Sequence, residues 1–484
     1  MSELSHRRKS LVLAICCMSL LIVSLDNTVL NVALPSLQRE LHTSLSGLQW
    51  TIDAYTLVLA SLLMLAGSTA DRIGRRRVFT IGLVLFTLGS LLCSLAPNLE
   101  SLIIFRMVQA VGGSMLNPVA MSIITNTFTA PRERARAIGA WGAVVGISMA
   151  AGPLVGGLLV DTVGWRSIFW LNLPIGLAAL LLTWRYVPES RAPKPRRPDP
   201  VGQLLVIGVL GSLTYAIIEA PAAGWTSPLI MSFAGVAALS LTGLLLYEPR
   251  RAEPLIDLRF FRSAPFSGAT VIAVAGFAGL GGFLFLNTLF LQEVRGLSAL
   301  RAGLYILPMA AMTFVCAPLS GRLVGSRGPR LPLLVAGVAM TASGVLFAAF
   351  GAESSTPLLF TGYVLFGIGF GMVNAPITNT AVSGMPRSQA GVAAAVASTS
   401  RQIGQTLGVA VIGAVLAGGV ASASYRTGFT DASRPAWWII AGCGLCVLLV
   451  GALTSGHWAR GTARRTAERL EEPTVAQATA GSRS

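Results

Sequence analysis

The chain has 484 residues, of which 53% are hydrophobic and only 12% are charged. A soluble globular protein averages about 25% charged residues, so this composition excludes an ordinary soluble domain and indicates a polytopic membrane protein. The net charge of +16 does not indicate a nucleic-acid-binding protein, because the basic residues cluster in alternate loops between apolar segments, as the positive-inside rule predicts.

Apolar stretches of about 20 residues, each long enough to cross a bilayer as a helix, recur along the whole chain. Fourteen spans are predicted, at 11–35, 46–67, 78–96, 102–127, 137–159, 167–187, 202–220, 229–247, 267–292, 302–321, 331–350, 358–382, 391–418 and 436–456. An even number of spans with basic segments at both ends predicts that both termini are cytoplasmic. Arginine greatly outnumbers lysine, which is typical of a GC-rich genome. The predicted location is the bacterial cytoplasmic (inner) membrane, which the chain crosses many times.

The first span carries an acidic residue, Asp26, in its middle, with the polar neighbours Asn27, Thr28 and Asn31. A charged side chain at the bilayer centre costs about 2.5–3.5 kcal/mol on insertion scales, and such residues mark ion or proton pathways by default. Asp26 is therefore the first candidate for a proton or cation site.

A second carboxylate, Asp53, lies about two turns into the second span, and we expect it to face the same cavity as Asp26. Arg106, in the fourth span, is the candidate cation that would hold a carboxylate ionised. The alternatives are that Arg106 snorkels to the outer interface and that Asp53 lies near the outer boundary. Arg401, in the thirteenth span, is a further intramembrane cation with no predicted partner.

The loop after the second span has a counterpart in the second half of the chain. GSTADRIGRR at 67–76 aligns with GRLVGSRGPR at 321–330, which follows the second span of the C-terminal six. Repeated halves are the sequence sign of an alternating-access transporter whose substrate site lies between them.

In the first copy of this loop, an acidic side chain stands among arginines and glycines that permit a tight turn. Asp71 can accept hydrogen bonds from a neighbouring arginine or cap the N-terminus of the helix beginning near Ala390, which would close the cytoplasmic side in one state. The alternative is a positive-inside cluster with one neutralising acid. The predicted gating loop comprises Gly67, Asp71, Arg72, Gly74, Arg75 and Arg76.

The fifth span is rich in small residues and contains one proline. Glycines four residues apart let another helix approach closely, and a proline allows a bend. A hinge that seals the cavity and ordinary small-residue packing are both compatible with this pattern. The residues are Gly146, Gly152, Pro153, Gly156 and Gly157.

Two charged linkers divide the chain into four predicted regions. These are an N-terminal six-helix bundle at 1–190, two additional helices with cytoplasmic linkers at 191–265, a C-terminal six-helix bundle at 266–458 and a cytoplasmic tail at 459–484. The six cysteines fall in spans and the three histidines fall outside them. We therefore expect no metal site and no cofactor.

Several motifs carry a family resemblance that covers nearly the whole chain. LDNTVLNVALP at 25–35, GSTADRIGRRRV at 67–78, RMVQAVGG at 106–113, GISMAAGPLVGG at 146–157 and the segment 291–308 resemble the motifs of the fourteen-helix drug:proton antiporters of the major facilitator superfamily. The resemblance implies an all-α integral membrane fold with two six-helix bundles and two extra central helices.

The same resemblance implies proton-coupled efflux of drugs, antibiotics or other amphipathic, often cationic compounds by alternating access. The alternative is a dedicated exporter of one endogenous metabolite, natural product or lipid. Protons, small amphipathic molecules and membrane lipids are the expected partners, without nucleic acid, and we expect a monomer that is not an enzyme. The predicted pocket lining is Asn27, Asn31, Trp50, Tyr55, Gln109 and Tyr305.

Overall fold

The computed structural model describes residues 5–192, 197–251, 253–351, 354–383, 385–386, 389–420 and 425–481. Within these ranges the chain is helical, and fourteen helices are long and apolar enough to cross a membrane. The predicted all-α, multi-pass membrane fold is confirmed.

Seven helices build the first six spans, because the sixth span is interrupted at Leu171. They are α1 (His6–Leu41), α2 (Leu45–Ile73), α3 (Arg75–Ser94), α4 (Leu99–Thr127), α5 (Pro131–Thr162), α6 (Ser167–Trp170) and α7 (Asn172–Tyr186).

The two additional spans are α8 (Pro200–Ala223) and α9 (Pro228–Tyr247). The last six spans are α10 (Ala264–Leu289), α11 (Ala299–Arg327), α12 (Arg330–Ala348), α13 (Thr356–Val382), α14 (Ala390–Val420) and α15 (Tyr425–Thr454). A π-helical turn at Phe290–Val294 extends α10, and α16 (His457–Gly481) forms the tail.

Short polar side chains mark where several helices begin. The Ser44 hydroxyl accepts from the backbone N–H of Gly47 at the start of α2, and Asn98 forms a capping box with Ser101 at the start of α4. Each such cap satisfies an otherwise unpaired backbone donor and contributes about 1 kcal/mol. The connections between spans can therefore be very short.

The helix pairs of the first bundle recur in the last bundle. α1 packs on α5, α2 on α4 and α3 on α7, and correspondingly α10 packs on α14, α11 on α13 and α12 on α15. The repeat detected in the two loops thus extends to the packing of whole helices. α8 packs on α9, α2 and α14 and so lies against both bundles.

Helices extend beyond the apolar segments at several places. The first helix begins at His6 and ends at Leu41, several residues outside the predicted 11–35, and residues of the predicted tail form α16. Backbone hydrogen bonding continues past the hydrocarbon boundary, which hydrophobicity alone does not indicate.

We call the face with the N-terminus and the turn at Gly74 the proximal face, and the face with the 42–44 and 295–298 turns the distal face. The bundles touch chiefly through α5 with α11 and α2 with α14. Among the described residues, every hydrogen bond between 5–190 and 264–458 lies at mid-helix or toward the distal face. In the part of the chain that the structure describes, the bundles are therefore hydrogen-bonded to each other toward the distal face and not at the proximal face.

Candidate functional site

Asp26 and Arg106 form an ion pair inside the N-terminal bundle. Arg106 Nη1 donates to Asp26 Oδ2, and the two side chains are 0% and 2% exposed. The Arg106 guanidinium also lies 4.2 Å from the centre of the Tyr55 ring, and its Nε donates to the Thr51 carbonyl at 3.4 Å. Arg106 therefore does not snorkel to an interface, and its charge is balanced in the core.

The other oxygen of Asp26 is held by two amides. Gln109 Nε2 and Asn172 Nδ2 donate to Asp26 Oδ1 at 2.8 and 2.9 Å, and both amides also donate to the Ser90 hydroxyl. This network joins α1, α3, α4 and α7. The whole set is buried, so the network fixes the interior of the bundle around one charge pair.

The polar residues that follow Asp26 on α1 do not join its hydrogen-bond network. Thr28 and Asn31 are rotated by about 200° and 140° from Asp26 around α1 at 100° per residue. Both line a small, mainly apolar pocket between the bundles, together with residues of α5, α10 and α11 such as Pro153 and Thr288. Asn31 also donates to the carbonyl of Asn27 at 2.8 Å.

Asp53 occupies a different environment from Asp26, contrary to the expectation that the two share one cavity. It is 0% exposed, and its Oδ1 accepts from Thr56 at 3.4 Å. Thr56 in turn accepts from Thr406 of α14 at 2.9 Å. No partner of Asp53 Oδ2 and no cation pairing with Asp53 is found in the described part of the chain.

The aromatic residues predicted to line a substrate pocket do not line this small pocket. Trp50 Nε1 donates to Glu219 of α8 at 2.7 Å, and the Trp50 ring lies 5.9 Å from Tyr215. Tyr55 is buried under Arg106, and Tyr305 packs edge-on against Phe360. Gln109 belongs to the Asp26 network.

The distal contact between α5 and α11 is closed by a carboxylate on a helix N-terminus. Asp161 accepts from the backbone N–H groups of Ala299 at 3.1 Å and Leu300 at 2.9 Å, which are unpaired donors of the first turn of α11. Gln292 of the π-helical turn donates to the Val32 carbonyl at 2.8 Å. We call this contact the distal gate.

Glycines of the fifth span allow the close contacts of α5. A Cβ at Gly157 would lie 2.5 Å from Leu300 Cα, and one at Gly156 would lie 3.1 Å from Val29 Cα. Gly152 lies against Thr28 of α1, and Gly146 faces Phe314 of α11. α5 runs without interruption through Pro153. Gly152 and Gly156 thus serve packing on α1, whereas Gly157 serves the distal gate.

The gating loop lies against the segment after α7. Gly74 has φ of +126°, which an L side chain rarely adopts, and the adjacent Arg76 N–H donates to Glu189 Oε1 at 3.1 Å. Asp71 accepts from Arg75 at 2.9 and 3.0 Å. Within the described residues Asp71 does not bond to α14.

A Cβ at Gly67 would meet only Pro118, at 3.8 Å, so Gly67 is not required for a close approach. Arg72 is exposed.

Several residues of these sites were not identified from the sequence. Ser90 and Asn172 complete the Asp26 network, and Asp161 closes the distal gate. Asn172 had a detectable signal, since it is an amide within an apolar span. Asp161 gave no such signal in the sequence, because a carboxylate at the boundary of a membrane span is common.

Comparison with known proteins identifies the family. The model of the Major Facilitator Superfamily matches residues 16–409. The chain belongs to the Major Facilitator Superfamily. Membership makes it a membrane transporter and not an enzyme.

Among its relatives are bacterial resistance proteins. The multidrug resistance protein Stp of Mycobacterium tuberculosis is 40% identical over 412 residues, covering 85% of this chain and 76% of Stp. The tetracenomycin C resistance and export protein of Streptomyces glaucescens is 38% identical over 400 residues, covering 82% and 74%. The methylenomycin A resistance protein of Streptomyces coelicolor is 38% identical over 401 residues, covering 81% and 82%.

Solved structures share the fold at low sequence identity. A bacterial homologue of the human lysosomal transporter Spinster superposes with a TM-score of 0.61 at 20% identity, covering 96% of this chain and 99% of the homologue. A bacterial homologue of the human peptide transporters PepT1 and PepT2 superposes with a TM-score of 0.64 at 14% identity, with the same coverage.

Proposed function

We propose that this transporter exports drugs, antibiotics or other amphipathic compounds from the bacterial cytoplasm in exchange for protons. The names of its relatives, which include resistance and export proteins, support the direction and the class of cargo. Basic residues cluster at the proximal face, which supports a cytoplasmic proximal face with both termini inside. The structure then corresponds to a conformation that opens inward.

Proton coupling rests on one observation: Asp53 is buried beside the α2–α14 contact, and no cation pairs with it among the described residues. An ionised carboxylate in such a place is costly, whereas a protonated one is not. We infer that Asp53 carries a proton while α2 and α14 are joined. Loss of this proton to the cytoplasm leaves a charge in the α2–α14 contact and so favours separation of the bundles at the distal face.

Asp26 has a different role in this scheme. Arg106 balances its charge in the inward-opening conformation, so Asp26 takes up a proton or meets a cationic substrate only when Arg106 moves away. Opening of the distal gate would expose Asp53 to external protons and complete the cycle. A membrane potential of 100 mV adds about 2.3 kcal/mol for each charge moved.

An exporter of one natural product is the second candidate. Two relatives are named for single compounds, tetracenomycin C and methylenomycin A, which favours a narrow substrate range. The two candidates are separated by expressing the transporter in a pump-deficient host and measuring resistance to tetracenomycin C, methylenomycin A, ethidium and puromycin. A broad pattern supports multidrug export, and protection against one compound supports a dedicated exporter.

Proton coupling is tested by pH-driven ethidium transport in inverted vesicles. Asp53→Asn is close in shape, replaces no ion-paired partner and should leave the fold intact while abolishing the response to a pH gradient. Asp26→Asn should impair both stability and transport. Normal pH-driven transport by Asp53→Asn would refute the assignment of the proton to Asp53.

A further inference from the structure

Arg401 is an intramembrane cation that the proposed mechanism does not use. It lies in the proximal half of α14, where its guanidinium meets two hydroxyls and one ring. Nη2 donates to the Thr378 hydroxyl of α13, Nη1 donates to Ser398 Oγ at 3.4 Å, and Cζ lies 5.9 Å from the centre of the Phe277 ring of α10. Its Nε has no partner among the described residues.

No carboxylate balances this charge in the part of the chain that the structure describes. The sequence from 264 to 458 contains only three acidic residues, Glu293, Glu353 and Asp431. Glu293 lies in the π-helical turn at the distal end of α10, Asp431 lies in the first turns of α15, and Glu353 lies outside the described residues. The proximal half of the C-terminal bundle therefore contains a cation and no acid.

The nearest intramembrane acid of the facing bundle is also remote. Thr406 meets Thr56 across the α2–α14 contact, Arg401 is five residues further toward the proximal face, and Asp53 is three residues further toward the distal face. At 1.5 Å per residue the two charged residues are separated by about 12 Å along the helix axes. Arg401 thus differs from Arg106, which has a bonded carboxylate.

The side chain of Arg401 is only partly buried and lies in the proximal half of α14. Ile403, two residues along α14, packs against an apolar cluster of α2, α8 and α9. Arg401 therefore projects from the opposite side of the helix, toward α10 and α13. Arg401 is partly exposed and Thr378 is exposed. Among the described residues, the hydrogen bonds between the bundles lie distal to this position, and none joins the bundles on its proximal side.

We propose that Arg401 binds the anionic group of amphipathic organic anions, such as aromatic carboxylates or phenolates, as they enter from the proximal side. The guanidinium would pair with the oxygens, the hydroxyls of Thr378 and Ser398 would complete the polar shell, and Phe277 would contact the apolar body. This inference deepens the proposed function by adding anions to the substrate classes.

The test is equilibrium dialysis of purified protein in zwitterionic lipid nanodiscs. Radiolabelled 2-naphthoate is compared with 2-naphthamide, its neutral analogue of similar shape. We expect Arg401→Gln to weaken naphthoate binding at least tenfold and to change naphthamide binding less than twofold. Arg401→Lys should retain an intermediate affinity. Arg322→Gln removes one exposed proximal cation from the same bundle and should change neither affinity more than twofold.

The proposal would be overturned if folded Arg401→Gln lost affinity equally for naphthoate and naphthamide. It would also be overturned if the unmodified protein bound naphthoate no more tightly than naphthamide. Displacement of naphthoate by added phosphatidylglycerol at nanodisc concentrations would assign the site to a lipid headgroup and also overturn it. The assay uses no ion gradient, so failure of proton exchange in the vesicle experiment leaves its result unaffected, and the reverse also holds.

Discussion

Removing the charge of Asp26 should destabilise the protein through Arg106. In Asp26→Asn the guanidinium remains 0% exposed with no counter-charge, and the new amide presents a donor where the oxygen accepted. Breaking a buried ion pair on one side costs about 3–5 kcal/mol. Arg106→Gln should cost a similar amount, because it leaves the carboxylate buried with only amide donors.

The double variant Asp26→Asn with Arg106→Gln removes both charges and should therefore lose less stability than the sum of the single variants. We expect a coupling energy of about 3 kcal/mol, at the upper end of values for contacting residues. Unfolding in mixed dodecylmaltoside and SDS micelles, followed by tryptophan fluorescence, measures it.

The control for this cycle is the exposed pair of Arg464 and Glu468 in α16, whose side chains are 85% and 60% exposed. Its coupling should be below about 0.5 kcal/mol. Additive effects of the Asp26 and Arg106 substitutions, with coupling no larger than that of the control pair, would refute the buried ion pair.

Three further predictions concern the contacts between helices. Gly157→Ala should lengthen the distance between spin labels in the 163–166 and 295–298 turns, measured by double electron–electron resonance, whereas Gly142→Ala, whose Cβ would meet nothing within 4 Å, should not. Asp161→Ala should weaken the distal gate by about 1 kcal/mol, the typical cost of replacing a helix-capping side chain by alanine, and shift the same distance populations about fivefold; unchanged populations would contradict the gate. Glu219→Gln should lower the melting temperature no more than Trp50→Ala does, because the amide oxygen of the introduced glutamine still accepts a hydrogen bond from the Trp50 indole.

The sequence predicted the fold and part of the site for a clear reason. Apolar length determines where spans lie, and depth along a span follows from counting residues, so the sequence predicts Asp26 as an intramembrane carboxylate and Arg106 as a cation able to hold a carboxylate ionised. Rotation about the helix axis depends on which neighbours each helix meets. Without those neighbours the sequence predicts that Trp50 and Tyr55 line a pocket, whereas Trp50 bonds to Glu219 of α8 and Tyr55 packs against Arg106.

The environment of Asp53 could not be predicted either, because it depends on how the two bundles dock. Its depth resembles that of Asp26, but it faces α14 across the boundary between halves of the chain. A contact between residues 350 positions apart is set by docking of the bundles, which no local pattern in either segment encodes. The distal gate at Asp161 depends on the same docking.

The most direct test of proton exchange is the movement of protons driven by substrate alone. Proteoliposomes loaded with ethidium and a luminal pH indicator are diluted into ethidium-free buffer at the same pH. The account predicts that the lumen acidifies as ethidium leaves, and that vesicles with Asp53→Asn or without protein do not acidify. Rapid ethidium exit through the unmodified protein with no acidification beyond that of protein-free vesicles would contradict it.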